Sequence, residues 1–84
     1  MQTYSIEGVV TDRSGLPMPG VMVAIVEGTA SYPDLAAMTN QQGQFSFSSL
    51  QKGEYTVKVF RESLSREEKV RITNENAKIT IRLE

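Results

Sequence analysis

The residue order predicts an all-β fold, a seven-stranded antiparallel Greek-key β-sandwich. Three observations lead there. Apolar residues alternate at period two in short segments, Asx and glycine residues punctuate those segments at short intervals, and no stretch carries an apolar stripe at helical spacing. Extended segments this short bury one face each, and two sheets laid face to face are the economical way to hide those faces.

The first segment places Tyr4, Ile6, Gly8 and Val10 on one face, and TDRSG at 11–15 follows as a turn. In LPMPG at 16–20 the prolines stiffen a second turn, with Leu16 and Met18 expected to cover one end of the sandwich. Val21, Val23 and Ile25 share the buried face of the second segment. A short, weaker strand is expected from Ala36 to Thr39, because the chain must cross from there to the next turn, TNQQG at 39–43. Phe45 and Phe47 leave that turn on the same side of a strand, and each ring can bury about 150–250 Å². At about 25 cal/mol per Å² this is on the order of 4–6 kcal/mol of gross transfer energy per ring. Both rings are therefore assigned to the core.

LQKGEY at 50–55 makes a corner in which Gly53 bends the chain and Tyr55 follows two places on. That spacing predicts a tyrosine corner, with the ring in the core and the hydroxyl bonded back to the backbone. Tyr55, Val57 and Val59 continue inward. Ser65 and Glu68 have the spacing of a helix capping box, but stepping on from Leu64 by three or four reaches Glu67, Glu68 and Arg71, so no apolar stripe would meet the core. A strand instead puts Val70 and Ile72 together. TNENA at 73–77 repeats the turn chemistry of TDRSG and TNQQG, with Asn76 as the expected substitute for glycine, and Ile79, Ile81 and Leu83 close the pattern.

Composition bounds the function. The 84 residues are expected to form one domain spanning 1–84, with 39% hydrophobic and 23% charged residues and no cysteine to staple it. A net charge of −1 with mixed signs leaves no basic face for nucleic acid, and no apolar run is long enough for membrane insertion. Without histidine there is no side chain of unperturbed near-neutral pKa to act as a general base and no imidazole for zinc. Ser46, Ser48 and Ser49 read as outward strand positions, and the carboxylates are dispersed without calcium-loop or paired-acid spacing. The expectation is of no enzyme, no catalytic residue, no cofactor and no metal. The segment MQTYSIEGV lacks the basic and apolar parts of a signal peptide, so a cytoplasmic location is expected if Met1 is the natural start, and a cell-surface or periplasmic one if the chain is an excised module.

The succession GVVTDRSGLPMPGVMVAI, TNQQGQFSFSSLQKGEYTVKV and KITIRL resembles the carboxypeptidase regulatory-like domain family, with its prealbumin-like (transthyretin-like) seven-stranded sandwich, from Tyr4 to Leu83. The resemblance implies an accessory module that aids folding, spacing or partner binding in a larger protein assembly. Transthyretin-like hydrolases rely on histidines that this chain lacks. Related bacterial adhesin domains carry an isopeptide bond between a first-strand lysine and a last-strand asparagine, and neither residue stands in the corresponding segment here.

The expected function is a non-catalytic protein-interaction or structural scaffold module. The alternative is a self-associating transthyretin-like module that binds a small ligand or carbohydrate, as a homodimer through edge strands. The absence of tryptophan weighs against sugar stacking. RESLSREEKVR at 61–71 reads as a solvated strand edge that discourages edge pairing, or as a docking strip. The longest connection, GTASYPDLAAM at 28–38, supplies the candidate partner-binding residues Tyr32, Pro33, Leu35 and Met38, since a loop can present apolar groups that neither sheet buries. Against this, Leu35, Ala37 and Met38 could simply pack as part of the short strand.

Overall fold

The computed structural model describes residues 3–28 and 36–83, and these contain strands but no helix. In chain order the strands are β1 (Tyr4–Thr11), β2 (Met22–Gly28), β3 (Ala36–Met38), β4 (Gln44–Leu50), β5 (Gly53–Arg61), β6 (Leu64–Ile72) and β7 (Ala77–Arg82). Two sheets result, ordered β4-β1-β7 and β3-β2-β5-β6. The residues expected on inward faces line the space between them: Tyr4, Ile6, Val10, Val21, Val23, Ile25, Phe45, Phe47, Tyr55, Val57, Val59, Val70, Ile72, Ile81 and Leu83 are all buried. The β-sandwich expected from period-two patterning is the observed architecture, and the segment with capping-box spacing lies within strand β6.

One pairing departs from a wholly antiparallel arrangement. β7 runs parallel to β1, from Ile6 opposite Ala77 to Thr11 opposite Arg82. The chain reaches β7 by crossing over from β6, an edge strand of the other sheet, so no hairpin reverses its direction relative to β1.

The β1–β4 seam fixes the core. Gly8 stands opposite Phe45 on one side and Ile79 on the other. A Cβ at Gly8 would lie 2.4 Å from the Phe45 ring and 3.0 Å from Ile79, so the bare backbone is the seat on which the ring rests. Phe47 lies beside it, with ring centroids 5.9 Å apart and planes tilted by 59°. Beyond Phe47 the ladder bulges: Ile6 pairs with Phe47, but Tyr4 pairs with Leu50. Ser49, at φ 61°, takes up the extra residue and returns Leu50 to the buried face.

The turns follow their chemistry at two of the three expected sites. Asp12 Oδ1 accepts the N–H groups of Ser14 and Leu16, and Asn40 Oδ1 accepts those of Gln42 and Gln44. Gly43, at φ 73°, sits so close to the first sheet that a Cβ would approach the Val10 carbonyl oxygen to 2.6 Å. The third site differs. Asn76 does not adopt the positive φ expected of a glycine substitute; its Oδ1 instead accepts the Ser5 N–H at 2.8 Å, extending the join between β1 and the β7 approach. Leu16 is also not an end cover, being 61% exposed. Its own N–H and carbonyl are both held by Asp12, which keeps it in the turn, and Met18 alone packs against the core. The tyrosine corner is present, the Tyr55 hydroxyl donating to the Gln51 carbonyl at 2.6 Å.

Replacing Gly8 by alanine is expected to destabilise the chain by about 1–3 kcal/mol through overpacking against the Phe45 ring. Phe45→Leu in the same chain should recover part of that loss. Denaturant midpoints of the two variants and of the double variant measure it, and a Gly8→Ala chain as stable as the original would contradict the seat.

Candidate functional site

Of the four candidate partner-binding residues, Tyr32, Pro33 and Leu35 lie outside the described residues, and Met38 is placed. Met38 ends β3, an edge strand, and is 60% exposed. Its outward position is fixed by what surrounds it. β3 pairs with β2 over three residues only, Met22 opposite Met38, Val23 opposite Ala37 and Ala24 opposite Ala36. So short a ladder needs a further anchor, and Thr39 supplies it. Thr39 is buried, its Oγ1 accepts the Val21 N–H at 2.9 Å and donates to the Met18 carbonyl at 2.6 Å, and its own N–H donates to the Val21 carbonyl. Read from sequence, Thr39 was the end of the short strand and the first residue of a turn. Its clamp role depends on Met18 and Val21 meeting it across the fold, which no local pattern reveals.

Met22, the partner of Met38, pairs on its other side with Phe60. Met38, Met22 and Phe60 therefore form a row across the outer face of the four-stranded sheet, and Ala36 and Ala24 lie in the adjacent row. Lys58 follows Ala24 in that second row, with its ammonium 6.0 Å from the Phe60 ring centroid. The result is an apolar strip with a cationic flank, composed of methionine and aromatic side chains that can adapt to an opposing surface. Met22 and Phe60 carried no functional signal in the sequence, because their outward positions looked like ordinary alternation; the strip emerges only once β3, β2 and β5 are in register.

Behind Met38 a cleft of about 730 Å³ runs past Ala37, Asn40, Gln44 and Ser46 to Glu7 and Lys78. Glu7 and Lys78 are its charged lining groups, so it holds no pair of carboxylates and no activated nucleophile. A second cleft, of about 500 Å³, lies on the four-stranded sheet over Glu27, Glu54, Thr56, Lys69 and Arg71. There the Thr56 hydroxyl donates to Glu27 at 3.3 Å, and the Arg71 Nε donates to Glu54 at 3.1 Å. The hydrogen bond from Arg71, then its positive charge, hold the Glu54 carboxyl below the usual carboxylate range. Among the described residues no group of three His, Cys, Asp or Glu side chains could hold a metal ion, and no buried side-chain polar atom lacks a hydrogen-bond partner.

With this geometry in place, the comparisons with known proteins can be stated. A family model described as the carboxypeptidase regulatory-like domain matches residues 5–84. No curated protein matches the sequence. Among solved structures, a chain of a type II cohesin–X–dockerin complex from Acetivibrio cellulolyticus superimposes with a TM-score of 0.74 at 21% identity, over 95% of this chain and 56% of that one. The major pilin subunit BcpA of Bacillus cereus gives a TM-score of 0.79 at 16% identity, over 99% of this chain and 30% of the pilin. A 3-chlorocatechol 1,2-dioxygenase from Rhodococcus opacus gives 0.72 at 11% identity, over 98% of this chain and 59% of the enzyme. At such identities the likeness is one of fold, and the chain spans about half the length, or less, of these structures.

Glu54 is expected to titrate below the usual carboxylate range, and Arg71→Gln should raise it back toward that range. The sign follows from the depressed value: the contribution of the pair is present above the unfolded-state pKa and is lost as pH falls through the folded one. Both side chains are exposed, so the effect on stability is small. Carboxyl-carbon NMR across the acid range checks the shift, and identical Glu54 titration in the two proteins would contradict the assigned cause.

Proposed function

The chain belongs to the carboxypeptidase regulatory-like domain family, and from that premise we propose that it is a non-catalytic protein-interaction module, acting as an accessory component of a larger assembly. The observation that carries this reading is the strip formed by Met38, Met22 and Phe60 on the outer face of the second sheet. Exposed Met38 and the half-buried Met22 and Phe60 in one row gain by being covered, and residues of these types are enriched at protein interfaces. The adjoining connection, with Tyr32, Pro33 and Leu35, extends the same apolar chemistry in sequence and is proposed as part of the contact.

Two further points support it. In the first cleft Glu7 is the one carboxylate, and in the second Glu27 is bonded to Thr56 and Glu54 to Arg71, so the whole chain from 1 to 84 is proposed to work as one contact module and not as a catalyst. Two structural neighbours, a chain of a cohesin–X–dockerin complex and a pilin subunit, are proteins that assemble with others, which is the setting proposed for this chain. The dioxygenase neighbour shares the fold and so carries no activity across.

Affinity capture from the source cell with the intact chain, compared with Met38→Lys and Tyr32→Ala, tests the reading. Met38 is exposed, so its replacement should leave the thermal midpoint within about 0.5 kcal/mol of the original in stability terms while partner recovery falls sharply. Equal recovery of every partner by all three chains would remove the strip and its neighbouring connection from the interface.

A further inference from the structure

The edges of the two sheets are not equivalent, and one is suited to receive another strand. β3 offers three residues. β4 is obstructed, since the Asn40 N–H donates to the Gln44 carbonyl, Asn40 Oδ1 accepts the Gln44 N–H, and the ladder bulges at Ser48 and Ser49. β6 carries both signs in close order, with Glu67, Lys69 and Arg71 at alternate positions. β7 differs from all three. Its ladder with β1 is regular from Ala77 to Arg82, with no bulge and no proline.

The direction of its free backbone groups can be worked out. The Leu83 N–H donates to the Thr11 carbonyl at 2.8 Å. In a parallel ladder alternate residues face the neighbour, so Ala77, Ile79 and Ile81 turn their backbone groups to β1, and Lys78, Thr80 and Arg82 turn theirs off the sheet. The side chains of Lys78, Thr80 and Arg82 are exposed on the outer face, while Ile79 on the inner face is only half-buried. Among the described residues no strand pairs with the outward backbone groups of this edge, which also carries two positive charges four residues apart and an isoleucine flank that an added strand would cover.

We propose that β7 takes up an extended acidic segment of a protein partner by strand addition, with carboxylates opposite Lys78 and Arg82 and a β-branched apolar residue beside Ile79. The charges select against a second copy of this edge. Two β7 strands paired antiparallel about Thr80 would set Lys78 opposite Arg82 twice, and like charges directly opposed are destabilising. On the β1 side, Glu7 stands opposite Lys78 and offsets part of its charge, whereas Arg82 stands opposite uncharged Thr11. Arg82 therefore dominates the attraction. This inference rests on the reading of the chain as an interaction module but concerns the β7 edge of the three-stranded sheet, whereas Met38 stands on β3 of the other sheet.

The probe is a capped peptide containing EVTVE, whose pattern presents the same alternation in either direction, titrated into the intact chain and followed by amide NMR. Binding should perturb the Lys78, Thr80 and Arg82 amides and slow their hydrogen exchange, and a shuffled VVTEE peptide should bind more weakly. The double variant Lys78→Glu with Arg82→Glu should weaken EVTVE binding by about tenfold and accept KVTVK instead. Met38→Gln, which adds no charge to the cleft that Met38 shares with Lys78, should bind EVTVE like the original chain, so loss of the outer-face contact and loss of the β7 contact are told apart. Equal binding of the shuffled peptide, indifference to charge reversal, absence of binding, or perturbation centred on β3 would each overturn the proposal.

Discussion

The contact between the Phe45 ring and the bare backbone of Gly8 sets the geometry on which the rest of the sandwich depends. β1 is the central strand of the three-stranded sheet, and Gly8 stands in one row with Phe45 and Ile79. Large side chains on both flanks are accommodated because the middle residue has none. A slip of one residue in either direction would bring Glu7 or Val9 under the ring and turn the whole inward set of β1 to solvent. The seat is therefore a register lock. For a chain with no disulfide, whose net stability is expected to be of order 5–15 kcal/mol, a lock of this kind decides whether two sheets meet in one arrangement or several.

Away from that seam, contacts outside the ladders tie the turns and strand ends in place. Gly43 brings the β3–β4 turn against Val10, Thr39 joins the start of β2 to the end of β3, and Tyr55 closes the corner after β4 through Gln51. Each of these ties satisfies backbone groups that the ladders leave over, where an unpaired buried polar group would cost about 1–3 kcal/mol. They also determine what is left outside. Because Thr39 holds β3 by its last residues, Met38 points outward in line with Met22 and Phe60, and an apolar strip results without any strand departing from its alternation.

The parts of this arrangement legible in the sequence are those encoded in consecutive residues. Period-two alternation identified the strands and nearly all of the core, and the Asx side chains of Asp12 and Asn40 announced their turns because their partners lie two and four residues on. The spacing from Gly53 to Tyr55 announced the corner for the same reason. What was not legible involves partners distant in sequence. Asn76 is committed to Ser5, 71 residues away, and so is not free to act as a local glycine substitute. Alternation carries no direction, which is why the parallel join of β7 to β1 could not be foreseen. A bulge resets the phase, so Leu50 is buried three positions after Phe47, where strict alternation would expose it. The candidate site was half legible for a related reason: Met38 stood out as an apolar residue beside a long connection, while Met22 and Phe60 joined it only through register.

Edges complete the argument, since a sandwich has to end its sheets somewhere and each ending shapes what can approach. β3 is short, β4 is capped by Asn40 and bent by Ser49, and β6 interleaves charges of both signs, so three edges resist pairing by three different physical means. β7 resists only its own kind. Its Lys78 and Arg82 repel a like strand and leave the ladder open to an unlike one, which is discrimination achieved by one sign of charge on a regular backbone. The adaptable strip at Met38 and the charged ladder at β7 lie on different sheets, and the cleft behind Met38 reaches Lys78 between them. On the two proposals made above, the module joins partners through unlike chemistry, apolar cover on one face and electrostatic strand pairing at an edge.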